Sequence, residues 1–391
     1  MEFTHLSVQQ VELKEKLTAR IDEVLSHGQY INGPEVQKLE ETLAVYAGAE
    51  YAVGCASGTD ALLLALMALG VGPGDAIFTT TFTFIATAEV ISLLGAVPIF
   101  VDVDPRTFNI DPDQLDVAIQ AVRAANSKLY PIPASGLTKT VTPRGIIAVD
   151  LFGLPADYGR INKIAQNDKL FVIEDAAQSF GAEYFGRKAC SLAEIGCTSF
   201  FPSKPLGCYG DGGMCFTDSE KSADLIRSLT VHGKGENKYD NIRIGINGRL
   251  DTLQAAILLA KFEVFGEEIE KRQQVAGRYH ELLGGRDGVV TPTVSSEIKS
   301  AWAQYSILFE SEDLRKSGQA RLRKERIPTA IYYQKPLHLQ TAFARLGYRE
   351  GDFPLSEGLS RRILSLPMHP RLAPEDQAKV ARVILEDSSG I

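Results

Sequence analysis

Cysteine is scarce in this 391-residue sequence. Its five copies, Cys55, Cys190, Cys197, Cys208 and Cys215, are an odd number, with no C-x-x-C pair and no histidine at metal-ligand spacing. That excludes a disulfide scaffold, predicts no metal site and points to free thiols in a reducing cytoplasm. Excess positive charge is also missing: 41 Lys and Arg stand against 49 Asp and Glu, a net charge of -8. No broad electrostatic footprint for nucleic acid exists, although local basic residues can serve a small anionic substrate. Long apolar runs are absent as well. The longest, Ala61 to Val71, is too short to span a bilayer, and Met1 to Ala19 is mixed and charged rather than basic then apolar, so neither a membrane anchor nor a secretory signal is expected.

What is present is ordinary globular composition, 45% hydrophobic and 23% charged, on a chain too long for one small core. From Tyr51 to Thr217, short apolar runs bounded by turn residues alternate with amphipathic segments, the pattern of parallel strands joined by crossover helices. It predicts strands at Tyr51–Gly54, Ala76–Thr79, Val97–Val101, Gly145–Val149, Leu170–Glu174, Gly196–Phe200 and Gly213–Thr217. Helices are expected at Val8–His27, Glu35–Tyr46, Asp60–Leu69 and Gln114–Arg123, the last two opened by Ser57-Gly58-Thr59 and Asp111-Pro112-Asp113. Asn126 to Arg144, rich in Ser, Thr and Pro, reads as a surface excursion. The expected organisation is an α/β domain over residues 1–250, a long connecting helix over 251–284, and a smaller α+β domain over 285–391. That last part carries a strand at Trp302–Phe309 and helices at Leu314–Glu325 and Pro374–Glu386.

Asp175 follows Leu170–Glu174, a strand buried on both faces, so its carboxylate points at the crevice where open α/β sheets bind ligands. Lys204, on the loop after the next strand, reaches the same edge. One acid and one lysine together suit pyridoxal phosphate, the amine forming the Schiff base and the carboxylate keeping the pyridine nitrogen protonated. Ala56-Ser57-Gly58-Thr59 offers N–H groups and hydroxyls for a phosphate at a helix N-terminus, with Ser199 as a further hydroxyl, and Phe84 offers a flat face for the ring. Plainer readings exist for each. Asp175 can cap a turn, Ser57-Gly58-Thr59 can cap a helix, and Phe84 can be core. His232 can be structural, Tyr332 and Tyr333 can pack a seam, and Asn247-Gly248-Arg249 can be a turn.

Seven segments carry a resemblance over nearly the whole chain: Tyr30 to Pro34 (YINGP), Cys55 to Leu62 (CASGTDAL), Thr83 to Thr87 (TFIAT), Glu174 to Gln178 (EDAAQ), Ser199 to Lys204 (SFFPSK), Gly210 to Gly213 (GDGG) and Gly245 to Arg249 (GINGR). Each alone is weak; in this order they resemble the DegT/DnrJ/StrS family of nucleotide-sugar aminotransferases, fold-type I enzymes that use pyridoxal 5'-phosphate. The resemblance implies a seven-stranded, mostly parallel sheet with a smaller C-terminal domain. It makes Lys204 the Schiff-base lysine, Asp175 the pyridinium partner and Phe84 the stacking aromatic, with Gln178 near the cofactor's phenolic oxygen and Gly58, Thr59 and Ser199 on its phosphate. Asn247 and Arg249 match residues that the family supplies from a neighbouring subunit, which implies a homodimer with shared sites.

Ala330 to Tyr333 (AIYY), Pro336 to Leu339 (PLHL) and Val231 to Gly233 (VHG) are most similar to members that aminate UDP-2-acetamido-2-deoxy-3-keto-glucuronic acid for cell-surface polysaccharide. On that reading glutamate gives its nitrogen and leaves as 2-oxoglutarate, Arg249 meets the sugar carboxylate, and His232, Tyr332 and Tyr333 contact the sugar. Amination of another dTDP-, UDP- or GDP-linked 3- or 4-keto sugar is the alternative. A relative with histidine at the lysine position would dehydrate deoxysugars, which Lys204 argues against. A non-catalytic regulator is a third reading, and no DNA-binding extension accompanies the intact motifs.

Overall fold

The computed structural model describes residues 2–3, 6–134, 141–237 and 239–386. The chain opens with α1 (Leu6–Glu12), α2 (Lys14–His27) and α3 (Pro34–Ala47), the last started by a proline at its first turn. The single helix expected over Val8–His27 is broken at Leu13, which is buried beside Ile257 and Ala260. Next come β1 (Tyr51–Cys55), α4 (Gly58–Ala68), β2 (Asp75–Thr80), α5 (Ala86–Leu93), β3 (Val97–Val101) and α6 (Pro112–Arg123). These are followed by β4 (Thr142–Val149), α7 (Tyr158–Asp168), β5 (Phe171–Asp175), the short pair β6 (Glu183–Tyr184) and β7 (Arg187–Lys188), β8 (Ile195–Ser199), β9 (Gly213–Thr217) and α8 (Glu220–Thr230). Of the expected excursion over Asn126–Arg144, residues 135–140 lie outside the described residues, and β4 takes up pairing three residues before the predicted Gly145.

Seven strands form one sheet in the order β1-β9-β8-β5-β4-β2-β3. Neighbours from β8 to β3 are parallel, and β9 runs antiparallel to both β1 and β8. Helices α4, α5 and α8 cover one face through Leu62, Leu64, Ile91 and Ile226. The other face carries α3, α6 and α7 together with α9 (Thr252–Leu283), packed through Leu39, Leu115, Ile161 and Leu258. Alternation along each strand explains the two apolar faces: Ile173 and Cys197 look one way, Val172 and Ala148 the other. Because β9 reverses direction, β1 is parallel to β8. The C-terminal ends of β1, β2, β5 and β8 therefore share one edge, where Ser57, Thr81, Asp175 and Ser199 follow or end their strands.

After α9, strands β10 (Val289–Val290), β12 (Tyr305–Phe309) and β13 (Ile363–Leu366) form an antiparallel sheet, while β11 (Ile298–Lys299) pairs with β6. Helices α10 (Glu312–Lys324), α11 (Pro354–Arg362) and α12 (Pro374–Leu385) accompany them. The sequence pattern gave no sign of β13, since nothing punctuates the step from α11 into it. Among the described residues no helix is long and apolar enough to cross a membrane.

Candidate active site

Asp175 closes β5 and is buried. One of its carboxylate oxygens accepts the Thr87 hydroxyl at 2.7 Å and the other faces the Ala177 N–H at 3.3 Å. Burial raises its pKa; the Thr87 hydroxyl, the Ala177 N–H and the positive charge of Lys204 oppose that rise. Lys204 stands in a turn beyond β8, where its N–H bonds the Phe201 carbonyl at 2.9 Å and Pro205 follows. Its amine is desolvated and held below the usual amine range, with the negative charge of Asp175 pulling the other way. Each group thus sits in the other's field, inside a low-dielectric edge. A lysine held this way has more of its free, nucleophilic amine near neutral pH than a solvated one.

Beside this pair lies the start of α4. Ser57 caps it, its hydroxyl oxygen accepting the Asp60 N–H at 3.0 Å, so that hydroxyl serves the helix first. Gly58 and Thr59 occupy the first turn, whose N–H groups have no acceptor within the helix and carry the positive end of its dipole. Ser199, the last residue of β8, is pressed against Gly58: a Cβ at position 58 would lie 2.6 Å from the Ser199 Cβ and 3.1 Å from its hydroxyl. The cap and first turn of α4 and the end of β8 thereby form a narrow cradle of N–H groups and hydroxyls. Together with the acid and the lysine, this donor set fits a phosphorylated pyridine aldehyde.

A third wall follows β2. Phe82 is fully buried with its ring edge-on to Tyr333, 6.1 Å between centroids, whereas Phe84 is 55% exposed and keeps a face available. The same turn carries Thr83, whose hydroxyl lies 3.3 Å from that of Thr87 in the first turn of α5, and Thr87 reaches Asp175. Gln178 is committed at both ends, accepting the Phe152 N–H at 2.7 Å and donating to the Tyr333 hydroxyl at 3.1 Å. Burial, the charge of Asp175 and neighbouring Tyr332 push the Tyr333 pKa far up, so its proton stays on. The segment bearing Tyr332 and Tyr333 is tied to the sheet edge by the Leu337 N–H on the Thr81 carbonyl at 2.8 Å.

His232, Asn247 and Arg249 sit on a separate segment. Asn247 bridges to Val231, and the carbonyl of Gly248 accepts the Ala56 N–H at 3.0 Å, which brings this segment to the start of α4. His232 and Asn247 are exposed, and Arg249 is half-buried with its Nε sealed from solvent and without a hydrogen-bond partner. Among the described residues no hydrogen bond, ion pair or ring contact ties these three to Lys204 or Asp175. Thr87 escaped the sequence reading because nothing in a threonine on a helix's first turn says which strand it faces. Among the described residues no group of three His, Cys, Asp or Glu could hold a metal ion.

Comparison with known proteins gives the same picture from outside. The family model of the DegT/DnrJ/EryC1/StrS aminotransferase family matches residues 11–385. A UDP-2-acetamido-2-deoxy-3-oxo-D-glucuronate aminotransferase of Pseudomonas aeruginosa is 47% identical, over 95% of this chain and 96% of its own. A UDP-N-acetyl-3-dehydro-alpha-D-glucosamine 3-aminotransferase of Acidithiobacillus ferrooxidans is 39% identical, over 95% and 94%. The crystal structure of a DegT DnrJ EryC1 StrS aminotransferase from Brucella abortus superimposes with a TM-score of 0.92 at 48% identity, covering all of both chains. With Asp175, Lys204 and the α4 cradle gathered at one sheet edge and this agreement from end to end, the chain belongs to the DegT/DnrJ/EryC1/StrS aminotransferase family.

Proposed function

We propose that this protein is a pyridoxal phosphate-dependent aminotransferase that delivers nitrogen to the keto carbon of a nucleotide-linked sugar. The sugar is UDP-2-acetamido-2-deoxy-3-keto-glucuronic acid, made for cell-surface polysaccharide. The observation that carries the activity is the meeting of Asp175 and Lys204 beside the N-terminus of α4. The substrate is supported by the name of the 47% identical relative, and its keto position also by that of the 39% identical one.

When bound, pyridoxal phosphate supplies an electron sink for the carbon that loses a proton. The N–H groups of Gly58 and Thr59, with the Thr59 and Ser199 hydroxyls, hold its phosphate. Asp175 holds a positive charge at the pyridine nitrogen, Phe84 covers one face of the ring, and Gln178 closes the edge near its phenolic oxygen. Lys204 Nζ, below its usual range, would deliver to the sugar carbon that gains nitrogen the proton that this carbon lacks as a ketone, having taken it from the cofactor's side. Glutamate is the donor and leaves as 2-oxoglutarate from the same pocket, so the kinetics are ping-pong.

The sugar carboxylate calls for a cation, and the unpartnered Nε of Arg249 supports that role, with His232, Tyr332 and Tyr333 toward the sugar. Two copies of the chain share sites, Asn247 and Arg249 serving the partner. This reading is supported by the exposed Ile242 and Ile244 beside them. Five buried, unpaired cysteines suit a cytoplasmic location. The decisive experiment offers glutamate with a panel of 3-keto and 4-keto UDP-, dTDP- and GDP-sugars and follows 2-oxoglutarate release and product mass. Turnover of the UDP-3-keto-uronate above the others is expected; preference for a 4-keto sugar would overturn the substrate assignment.

A further inference from the structure

The turn between β2 and α5 does two things at once. Its one ring with a free face, Phe84, looks outward, while Thr83 and Thr87, four residues apart, point inward and are 3% and 1% exposed. Thr87 has a single hydroxyl proton and gives it to Asp175 at 2.7 Å. The 3.3 Å contact between the two threonines must then run from the Thr83 hydroxyl to the Thr87 oxygen. Polarity is thereby fixed along the chain Thr83 to Thr87 to Asp175, and every proton points toward the carboxylate. The bond from the Ala177 N–H to the other Asp175 oxygen is longer, at 3.3 Å.

We propose that Thr87 is a positioning residue that, backed by Thr83, holds Asp175 as an oriented hydrogen-bond acceptor toward the cofactor's pyridine nitrogen. This rests on the reading of Asp175 given above. Two properties follow from the geometry. Orientation follows because a short bond from a buried hydroxyl fixes one carboxylate oxygen and leaves the other with only the longer bond from the Ala177 N–H. Charge follows because a donor on the ionised form offsets the desolvation that otherwise favours the neutral acid. Since Phe84 precedes α5 and Thr87 lies in its first turn, three residues on, the ring's cover and the support of its acid are set together.

The titratable groups around Asp175 are Lys204, Tyr333, Cys197 and Tyr158. Burial pushes the two tyrosines and the cysteine up, so they remain protonated through the acid range, and Lys204 remains charged there. Asp150, raised to about 7 beside Asp175, and the proton that the Lys204 amine must lose to bond the aldehyde also shape an acid limb in cofactor affinity, so the part of the limb that Asp175→Asn removes is the part that reports Asp175.

The test measures pyridoxal phosphate dissociation constants against pH for the stripped full-length protein, with folding checked by circular dichroism. Variants are Thr87→Val, Thr87→Ser, Thr83→Val and Asp175→Asn. Thr87→Val should weaken binding about tenfold at neutral pH and move the acid limb up by about one unit. Thr87→Ser should restore both, Thr83→Val should move both part of the way, and Asp175→Asn should remove the part of the limb that the other variants shift. Wild-type affinity and limb in Thr87→Val, with Asp175→Asn impaired, overturns the positioning role alone. An unimpaired Asp175→Asn overturns the reading beneath it. Should Thr87→Val not fold, Thr83→Val decides: a limb identical to wild type rejects the relay.

Discussion

Gly58 and Ser199 meet so closely that the helix start and the strand end have no room for one more carbon between them. The contact joins the phosphate cradle's two halves, and it explains glycine at a position where the φ angle alone makes no demand. Gly58→Ala should cost about 2 kcal/mol in urea unfolding and weaken cofactor affinity, because the nearest atoms are a short side chain and backbone that cannot swing away. Ser199→Gly in the same chain removes the clashing Cβ and should restore most of the stability. No recovery in the double variant would mean the clash lies elsewhere.

Exchange at the acid and the lysine should separate chemistry from electrostatics. Lys204→Ala is expected to abolish turnover while the protein still folds. Asp175→Asn should lower the pKa of the Lys204 amine further, since the negative charge now raises it. The pH dependence of acylation at Lys204 in the stripped protein, read by mass spectrometry, checks the direction; an unchanged profile would show that the two groups do not feel each other.

A second acid pair sets a pH dependence of stability. Asp150 and Glu174 are fully buried and hydrogen-bonded to each other, with no cation among their partners in the described residues. Asp150 also accepts the Ser179 hydroxyl at 2.6 Å and the Ala156 N–H at 2.9 Å, while Glu174 accepts the N–H groups of Cys190 and Leu192 at 2.6 and 2.9 Å. Burial raises Asp150 from 3.8 to about 7, so the folded state binds the proton more tightly than the unfolded one. This contribution is complete below pH 3.8 and is lost as pH rises through about 7. Denaturant midpoints between pH 5 and 8 should therefore fall more steeply for wild type than for Asp150→Asn, and parallel slopes would refute the shared proton.

Sharing of sites between subunits is open to complementation. Lys204→Ala and Arg249→Ala homodimers should both be inactive toward the uronate. Mixed dimers should regain about a quarter of wild-type activity from one intact site in half of the molecules. Verified heterodimers without activity would place both residues in one subunit's site.

Most of the sheet was legible in the sequence because strands buried on both faces read as apolar runs between turn residues, as in Val97–Val101 and Phe171–Asp175. Helix starts were legible where a cap is local, as at Ser57 and Asp111. What stayed hidden is what only tertiary pairing creates. Thr87 supports Asp175 because α5 stands beside β5. Asp150 meets Glu174 because the register sets Ala148 opposite Glu174 and Val149 opposite Asp175. Strand β13 follows α11 without a break residue, and the kink at Leu13 comes from α9 drawing that side chain inward.

The neighbours Glu174 and Asp175 point to opposite sides of β5, one sealed with a proton and the other turned to the slot. Sliding β5 by a single residue against β4 would exchange them, sending an acid without Thr87 to the catalytic side and a bare charge into the interior. A misaligned β5 would therefore carry an electrostatic cost on top of its lost packing.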